Sequence, residues 1–219
     1  MILYDYVLSP NCYKVRLLAA LTGQKLETQA LDVYPGDAHR QPEFLAMNPA
    51  GTLPVLQQGD LTLTDSAAIL VYLAKLAGGA WMGDDTPADA ARLQNWLAFA
   101  QRLSDSLGQA RLHDMLNAPL DIDAARADGV VCLRQLEAAL FEAHLAGHAF
   151  LLGDQPSIAD IACFPHVALA GDGGVSIDAY PAIRLWMRAV RALAGFVEMP
   201  GIHRLHDMHA EPEPSQHGT

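Results

Sequence analysis

The sequence predicts two folded parts, an α/β domain followed by an all-helical domain. Residues 1–77 alternate short apolar segments with helix-like segments in the order β-α-β-α-β-β-α. A stretch rich in Gly, Asp and Pro then interrupts this pattern at residues 78–88. The residues beyond it carry helical periodicity alone. With 219 residues, of which 51% are hydrophobic, the chain is long and apolar enough to bury a sizeable core.

The elements of the first part follow from short-range signals. Residues 2–8 are apolar and aromatic, as a buried strand requires, and apolar residues at helical spacing then continue until Gly23 ends the helix. Gly59 lies between two apolar runs and indicates a hairpin. The predicted elements are, in order, a strand at 2–8, a helix at 13–21, a strand at 26–31, a short helix at 42–47, strands at 55–57 and 61–63, and a helix at 66–76.

The second part is predicted to contain helices only. Leucine and other apolar residues recur at three- and four-residue spacing in each of its segments. The predicted helices span residues 88–113, 124–145, 157–169 and 181–193. The expected organisation is therefore an α/β domain at 1–77, a linker at 78–88, a helical domain at 89–210 and a flexible tail at 211–219.

Composition and charge exclude several classes of function. The chain has 14 Lys and Arg against 25 Asp and Glu, a net charge of −11, and no basic run, which argues against nucleic-acid binding and a polybasic membrane anchor. Its three cysteines form no Cys-x-x-Cys pair, so neither a disulfide scaffold nor a cysteine-rich zinc site is indicated. The sequence has neither a signal-peptide pattern nor an apolar run long enough for a membrane span. We therefore expect a cytoplasmic protein with no metal, no membrane partner and no nucleic-acid partner.

Several stretches, taken in order, match one protein family. In the first part they are SPNCYKVR at 9–16, PEFL at 42–45, NPAGTLPVL at 48–56 and LTDSAAI at 63–69. In the second part they are GDQPSIAD at 153–160 and the segment YPAIRLW at 180–186. Together they resemble the soluble glutathione transferases, and the resemblance extends over residues 1–200.

The resemblance carries expectations about fold, ligands and assembly. It implies a thioredoxin-like fold for the first part and a homodimer for the whole protein. It implies glutathione as the co-substrate, and an apolar pocket in the helical part that accepts a small hydrophobic electrophile. Arg111, His113 and Met115 are candidate residues near that pocket.

Two of the matched elements are expected to hold glutathione. The resemblance implies that the Leu53–Pro54 peptide bond is cis, so that Leu53 presents its N–H and C=O groups to an extended tripeptide, as an added strand would. Ser66 opens a predicted helix whose N-terminus favours a carboxylate, and Asp65 can accept a hydrogen bond from an ammonium group. The γ-glutamyl end of glutathione carries both charges on one carbon. The structural alternatives are a proline that merely starts a strand and a residue that merely caps a helix.

The thiol chemistry is expected in the first β-to-α turn. Lowering a thiol pKa by about two units requires about 2.7 kcal/mol, which a hydrogen bond to the thiolate (about 1.5–3 kcal/mol) and a helix N-terminus (about 0.3–1 kcal/mol) can supply. Ser9 is the leading donor by resemblance to theta-like branches, and the Asn11 amide competes with it by resemblance to nu-type relatives. Cys12 is a third candidate, because beta and omega branches use a cysteine in this turn, with burial in the core as its alternative. Tyr4 and Tyr6 are further candidates, but their flanking pattern does not match the tyrosine-type classes.

The loop before residue 42 is expected to reach the other end of the tripeptide. In relatives this loop contacts the glycine carboxylate of glutathione, so His39 or Arg40 is expected to bind it, with a solvated loop charge as the alternative. Gly51 departs from the pattern, since some relatives carry His or Lys near that position. Glycine cannot supply that contact, which predicts weaker binding of glutathione.

Two further patterns are interpreted as structural. Ser157 and Asp160 form an S-x-x-D box that caps a helix. His203, His206 and His209 are spaced by three residues but lack support from Cys or carboxylates, so a solvated segment is expected there instead of a metal site.

The leading functional prediction is a glutathione transferase whose bound thiolate attacks a small apolar electrophile. The Ser-Pro-Asn run leaves open a nu-type reductase that exchanges small glutathione disulfides. The run at 12–16 leaves open a zeta-type isomerase of maleylacetoacetate-like acids, which would need a further cationic residue facing the acid. A binding module that keeps the fold without the chemistry is the non-enzymatic alternative.

Overall fold

The first part of the chain is built on a small mixed sheet. The computed structural model describes residues 1–84 and 86–203. Within these residues, one sheet has the strand order β2-β1-β3-β4. Strand β1 is parallel to β2 and antiparallel to β3, which pairs antiparallel with β4. The strands are β1 (Ile2–Asp5), β2 (Glu27–Ala30), β3 (Val55–Gln58) and β4 (Leu61–Leu63).

Three helices complete this part in the predicted order. They are α1 (Pro10–Leu21), α2 (Pro42–Met47) and α3 (Ser66–Leu76). Helices α1 and α3 pack against each other, and Leu18 and Leu70 are fully buried in the core that they share with the sheet. The order β-α-β-α-β-β-α and the four-stranded sheet confirm the thioredoxin-like fold.

Strand β1 is shorter than its apolar sequence predicts. It ends at Asp5, whose carboxylate accepts hydrogen bonds from the Arg16 guanidinium on α1. The chain then turns, because the Ser9 N–H donates to the Tyr6 carbonyl at 2.9 Å. The apolar residues that follow the strand therefore form a turn and not its continuation to Leu8.

The second part is helical, as predicted, with one local departure. Its helices are α4 (Pro87–Leu103), α5 (Gln109–Leu116), α6 (Ile122–Leu145), α7 (Ile158–Ala168) and α8 (Pro181–Arg191). A π-helical turn, Ser104–Gly108, joins α4 to α5 where the sequence predicts one regular helix. The periodicity of apolar residues is analysed at 3.6 residues per turn. It therefore does not reveal a single wider turn within a helix. Between the two parts the structure has a short 3-10 helix, Ala80–Met82.

Helix α7 is the buried centre of the molecule. It packs against α1 and α4, and all its residues from Ile158 to Val167 are buried. Its N-terminus carries the predicted capping box of Ser157 and Asp160, which is confirmed. The Asp160 carboxylate also accepts hydrogen bonds from the Leu151 N–H at 3.0 Å and from Trp186 Nε1 at 2.8 Å. Burial raises the pKa of Asp160, and these donors oppose that rise by stabilising the carboxylate.

The first turn is tied to the helical part by two long-range hydrogen bonds. The Tyr13 hydroxyl donates to the Val197 carbonyl at 2.7 Å, and Arg111 Nη1 donates to the Leu8 carbonyl at 2.9 Å. Both bonds satisfy backbone carbonyls that no sheet or helix ladder would reach. They fix where the start of α1 lies relative to α5 and to the segment that follows α8.

Three sequence-based expectations, on the C-terminal histidines and tail, on metal binding and on membrane spans, concern residues that the structure describes only in part. His203 is described, with Nδ1 4.0 Å from the Glu198 carboxylate, whereas His206, His209 and the tail at 211–219 lie outside the described residues. In residues 1–84 and 86–203, no three or more His, Cys, Asp or Glu side chains are grouped so as to hold a metal ion. A search of the same residues found no helix with the length and apolar character needed to cross a membrane.

We predict that Gly173→Ala destabilises the protein. Gly173 lies against α5, and a Cβ there would come within 2.8 Å of the Arg111 backbone nitrogen. The backbone cannot yield as a side chain can, so a loss of about 1–3 kcal/mol in the free energy of unfolding is expected. Gly171→Ala is the matched control in the same 3-10 turn, because no atom of the described residues lies within 4 Å of the position that its methyl group would take. Thermal or urea unfolding of the two variants measures the difference, and equal stabilities would contradict the prediction.

Candidate active site

A cavity of about 250 Å³ lies between the first turn and the helical part. Its α/β side includes Ser9, Asn11, Leu53 and His39, and its helical side includes α5 and His166 of α7. Asn11 and His166 are 155 positions apart in the sequence and meet here at hydrogen-bond distance. The cavity therefore exists only because the two parts pack together.

Ser9 caps α1 and keeps a donor for a ligand. Its Oγ accepts a hydrogen bond from the Cys12 backbone N–H at 3.2 Å, which is the usual N-cap interaction. A hydroxyl that accepts in this way can still donate its own proton. Since Ser9 lines the cavity, that proton is available to an anionic atom bound beside the first turn.

Asn11 lines the same cavity, and its amide has a defined orientation. Its Oδ1 accepts a hydrogen bond from Lys14 Nζ at 2.7 Å and lies 3.2 Å from His166 Nε2. An ammonium group can only donate, so the atom facing Lys14 must be the amide oxygen. The Nδ2 amide group is therefore left as the donor that Asn11 can offer to a ligand.

Cys12 is a core residue and not an exposed nucleophile. Its side chain is fully buried, and burial raises the pKa of the thiol to about 12, although the neighbouring Ser9 hydroxyl acts to lower it. The thiol is therefore protonated at neutral pH. Of the two tyrosines considered, Tyr4 donates its hydroxyl to Gln57 Oε1 at 3.0 Å, while Tyr6 lines the cavity.

The loop before β3 presents backbone to the cavity. The Leu53–Pro54 peptide bond is cis, as predicted, and a second cis bond, which was not predicted, joins Tyr34 to Pro35. Leu53 lines the cavity, while Pro54 is buried behind it.

The same loop is held in place from α2. Asn48 Nδ2 donates to the Thr52 carbonyl at 2.8 Å and to Thr52 Oγ1 at 3.1 Å. Gly51 has a φ of +61°, and a Cβ at this position would come within 3.3 Å of the His39 carbonyl. The positive φ and the close His39 carbonyl therefore favour glycine over a larger residue at position 51.

Asp65 and Ser66 lie at the start of α3, outside the cavity wall. The Asp65 carboxylate accepts a hydrogen bond from the Ala68 N–H at 2.8 Å, so it caps the helix as its structural alternative predicts. One carboxylate oxygen is engaged in this way, and Asp65 is exposed. The position is therefore open to a charged group of a ligand that extends out of the cavity along α3.

His39 and Arg40 have different surroundings, although they are neighbours. His39 lines the cavity, and its Nε2 accepts a hydrogen bond from Arg40 Nε at 3.3 Å. The Arg40 side chain is 74% exposed and lies 3.9 Å from Asp37. Only His39 of this pair reaches the cavity wall.

The helical side supplies one charged residue and several apolar ones. Arg111 is buried in the wall, where its Nε donates to Asp172 Oδ2 at 2.9 Å. Met115 also lines the cavity, together with Leu112 and Leu116. His113 is not part of the wall, and its Nδ1 lies 2.9 Å from Asp114. Two of the three candidates near the second-substrate pocket are thus found at the cavity.

Sequence reasoning missed Lys14 and His166. Burial lowers the pKa of Lys14 to about 8, and burial together with the charges of Lys14 and Arg111 lowers the pKa of His166 well below its usual range. His166 is therefore neutral at neutral pH, and its Nε2–H donates to the Asn11 carbonyl oxygen. The signals in the sequence were a lysine and a histidine within apolar helices, which more often reflect packing.

Comparison with known proteins identifies the family. The models for the N-terminal and C-terminal domains of glutathione S-transferase match residues 3–81 and 123–189. Glutathione S-transferase 3 of Zea mays is 32% identical over 203 residues, which cover 89% of this chain and 90% of that protein. The chain belongs to the glutathione S-transferase family of enzymes.

The chain is also similar to proteins with other names. Maleylacetoacetate isomerase of Rhizobium meliloti (strain 1021) is 32% identical over 186 residues, covering 83% of this chain and 87% of that protein. The crystal structure of a glutathione S-transferase from Pseudomonas fluorescens [Pf-5] covers 90% of this chain and 98% of its own, with 30% identity and a TM-score of 0.81. Ure2p in complex with glutathione has a TM-score of 0.76 at 25% identity and covers 89% of this chain and 90% of its own. A plant transferase and a bacterial isomerase match at the same identity, so these matches define the family and not the class within it.

For a glutathione S-transferase, the state of Cys12 decides between a cysteine-type and a hydroxyl-type site. The chain has three cysteines, all of them free and buried. We predict that none of them reacts rapidly with an aromatic disulfide reagent near neutral pH, because burial keeps the pKa of Cys12 at about 12 and raises that of Cys163. As the control, all three cysteines should react rapidly when the protein is unfolded in denaturant. Rapid labelling of Cys12 in the native enzyme, located by mass spectrometry, would contradict this prediction.

Proposed function

We propose that the protein conjugates the thiolate of glutathione to a small apolar electrophile. The thiolate attacks the electrophilic carbon, the carbon–sulfur bond forms, and a leaving group such as a halide departs with its electron pair. One observation carries this proposal: the hydroxyl donor of Ser9 and the amide donor of Asn11 lie in the wall of one cavity whose opposite wall is largely apolar. The family to which the chain belongs supports the choice of glutathione.

We propose that glutathione lies across the loop before β3. Its backbone pairs with Leu53, its γ-glutamyl ammonium and carboxylate contact Asp65 and Ser66, and its glycine carboxylate is held by His39, with Arg40 at the rim. Leu53 and His39 line the cavity, and Asp65 is exposed at the start of α3, which supports this path. The structural similarity to Ure2p, whose structure contains glutathione, also supports it.

In this proposal, Ser9 and Asn11 stabilise the thiolate and thereby activate it. A free thiol has a pKa of about 8.5, so only a few per cent is ionised at neutral pH. Each hydrogen bond to the anion contributes about 1.5–3 kcal/mol, and a shift of one unit requires about 1.4 kcal/mol. Two donors at the start of a helix are therefore sufficient to make the thiolate the main form at neutral pH.

The chemistry of the second substrate follows from the other wall. Leu112, Met115 and Leu116 of α5 give that side an apolar character. An apolar electrophile gains free energy by leaving water for such a surface. These residues therefore favour a small hydrophobic molecule as the acceptor of the thiolate.

We also propose that the enzyme is a cytoplasmic homodimer. Three free, buried cysteines are compatible with a reducing compartment, in which glutathione is the main thiol. Large apolar side chains are exposed on both parts, including Leu76 of α3 and Phe141 and Leu145 of α6. Such groups support contact with a second copy.

Isomerisation of an unsaturated keto acid is a second candidate function. The specific observation in its favour is Arg111, a buried cation in the cavity wall, which could hold the carboxylate of such an acid. The isomerase relative at 32% identity points in the same direction. An isomerase returns its glutathione unchanged, so consumption of glutathione during turnover separates this candidate from conjugation.

We predict that Ser9→Ala lowers kcat/KM for conjugation with an aromatic halide by roughly 10- to 150-fold, the equivalent of losing a hydrogen bond worth about 1.5–3 kcal/mol. The loss arises because the hydroxyl donor to the thiolate is gone. Cys12→Ala is the control, since Cys12 has its thiol buried and protonated, and it should retain most of the activity. If Ser9→Ala is fully active while Asn11→Ala is inactive, Asn11 and not Ser9 is the principal donor.

A second prediction concerns the γ-glutamyl end. Asp65→Asn should weaken glutathione binding about fivefold, since an exposed ion pair contributes up to about 1 kcal/mol. Asparagine is as good a helix cap as aspartate, so stability should not change. Asp121→Asn is the matched control, because Asp121 caps α6 by accepting from the Ala124 N–H at 3.1 Å and is absent from the cavity wall. Calorimetric titration measures the affinities, and equal values for both variants would contradict the proposed path.

A further inference from the structure

Lys14 is a buried cation without a carboxylate partner among the described residues. Its side chain belongs to α1, and the residue is 3% exposed. It forms no salt bridge with any of the described residues, and its hydrogen bond is to Asn11 Oδ1 at 2.7 Å. Buried charges in proteins are normally paired, because an unpaired charge pays the full cost of leaving water. The environment of Lys14 is therefore incomplete without an anion.

The groups around Lys14 do not supply that anion at contact distance. Asp65 at the start of α3 and the Cys163 thiol on α7 act on it electrostatically, and on α7 it also faces His166. Burial raises the pKa of Cys163, so that thiol is neutral, and His166 is neutral because its pKa is lowered. Burial lowers the pKa of Lys14 to about 8, which leaves most of it protonated at neutral pH.

The contacts of Lys14 lead towards the cavity through one side chain. Lys14 Nζ and His166 Nε2 both donate to the carbonyl oxygen of Asn11, at 2.7 and 3.2 Å. Donors on an amide oxygen polarise the amide, so that its N–H group becomes a stronger donor. Asn11 lies in the cavity wall, so the strengthened donor is on the ligand side.

We infer that Lys14 and His166 are positioning residues that act through Asn11: they orient its amide so that Nδ2 donates to the glutathione sulfur, and the buried ammonium stabilises the thiolate across this amide. The inference rests on the proposed function, because it assigns the missing anion to the bound thiolate. It concerns the ionised sulfur alone. The affinity of the enzyme for a ligand whose sulfur carries no charge should therefore not depend on Lys14.

The test is the pKa of the bound thiol, measured by titrating the ultraviolet absorbance of the thiolate in the enzyme–glutathione complex. Lys14→Met is expected to raise that pKa by about one unit, which corresponds to an about tenfold lower ratio of thiolate to thiol at any given pH. Lys14→Arg keeps a cation and should stay within about twofold of the original thiolate fraction. Replacing a buried, unpaired cation by an apolar side chain of similar length is not expected to unfold the protein.

A double variant tests whether Lys14 acts through Asn11. Asn11→Ala should raise the thiol pKa by itself, and adding Lys14→Met to it should have no further effect. An equal effect of Lys14→Met with and without Asn11 would overturn the positioning role. An unchanged thiol pKa in Asn11→Ala would overturn it as well.

His166 is tested by the same titration. His166→Leu removes the second donor to the amide oxygen and should raise the thiol pKa in the same direction as Lys14→Met. His166→Gln keeps an N–H donor and should restore a value close to that of the original enzyme. If both variants leave the thiol pKa unchanged, His166 has no positioning role.

S-methylglutathione separates failure of this inference from failure of the proposed function. Its sulfur cannot ionise, so its affinity should be the same in the original enzyme and in Lys14→Met. If the original enzyme binds neither this compound nor glutathione, the proposed function is wrong. If it binds glutathione with a lowered thiol pKa that Lys14→Met does not change, the proposed function stands and the inference is overturned.

Discussion

The cavity depends on how tightly the first turn is held between the two parts of the chain. Arg111 donates to the carbonyl of Leu8, Tyr13 donates to the carbonyl of Val197, and His166 donates to the side chain of Asn11. Each bond joins the turn or the start of α1 to the helical part. Because buried polar groups must be paired, loss of this packing would leave several of them without partners at once. The geometry of the site and the contact between the two parts are therefore stabilised together.

Helix α7 connects the cavity wall to the buried hydrogen bonds at its own N-terminus. Its capping box fixes where the helix begins, and Trp186 of α8 binds the same buried carboxylate of Asp160. Two turns further along, the same helix carries His166 into the cavity wall. A structural motif at one end of a rigid, buried helix thus determines the position of a polar side chain at the other. Such a helix can hold a donor more firmly than an exposed loop can.

The sequence predicted what depends on local chemistry and missed what depends on packing. The strand and helix order, the capping box and the cis bond before Pro54 were predicted, because each follows from neighbouring residues or from the family pattern. The partners of Asn11 were not, since His166 is 155 positions away and approaches it only when α7 packs on α1. The π-helical turn at Ser104–Gly108 and the early end of β1 were also missed, because apolar periodicity does not distinguish them from regular elements.

The charge of the cavity wall bears on which substrate the site favours. Arg111 uses two of its guanidinium nitrogens for the Asp172 carboxylate and the Leu8 carbonyl. The carboxylate offsets much of its charge, and the second bond fixes the guanidinium in the wall, so less of its attraction remains for an acidic substrate. Lys14 lies beneath Asn11, on the side of the proposed sulfur position, and not on the apolar side of the cavity. Under the proposed function, the buried cation Lys14 thus lies on the side where the thiolate would form, while Leu112, Met115 and Leu116 line the apolar side of the cavity, an arrangement that favours an apolar electrophile over an acid.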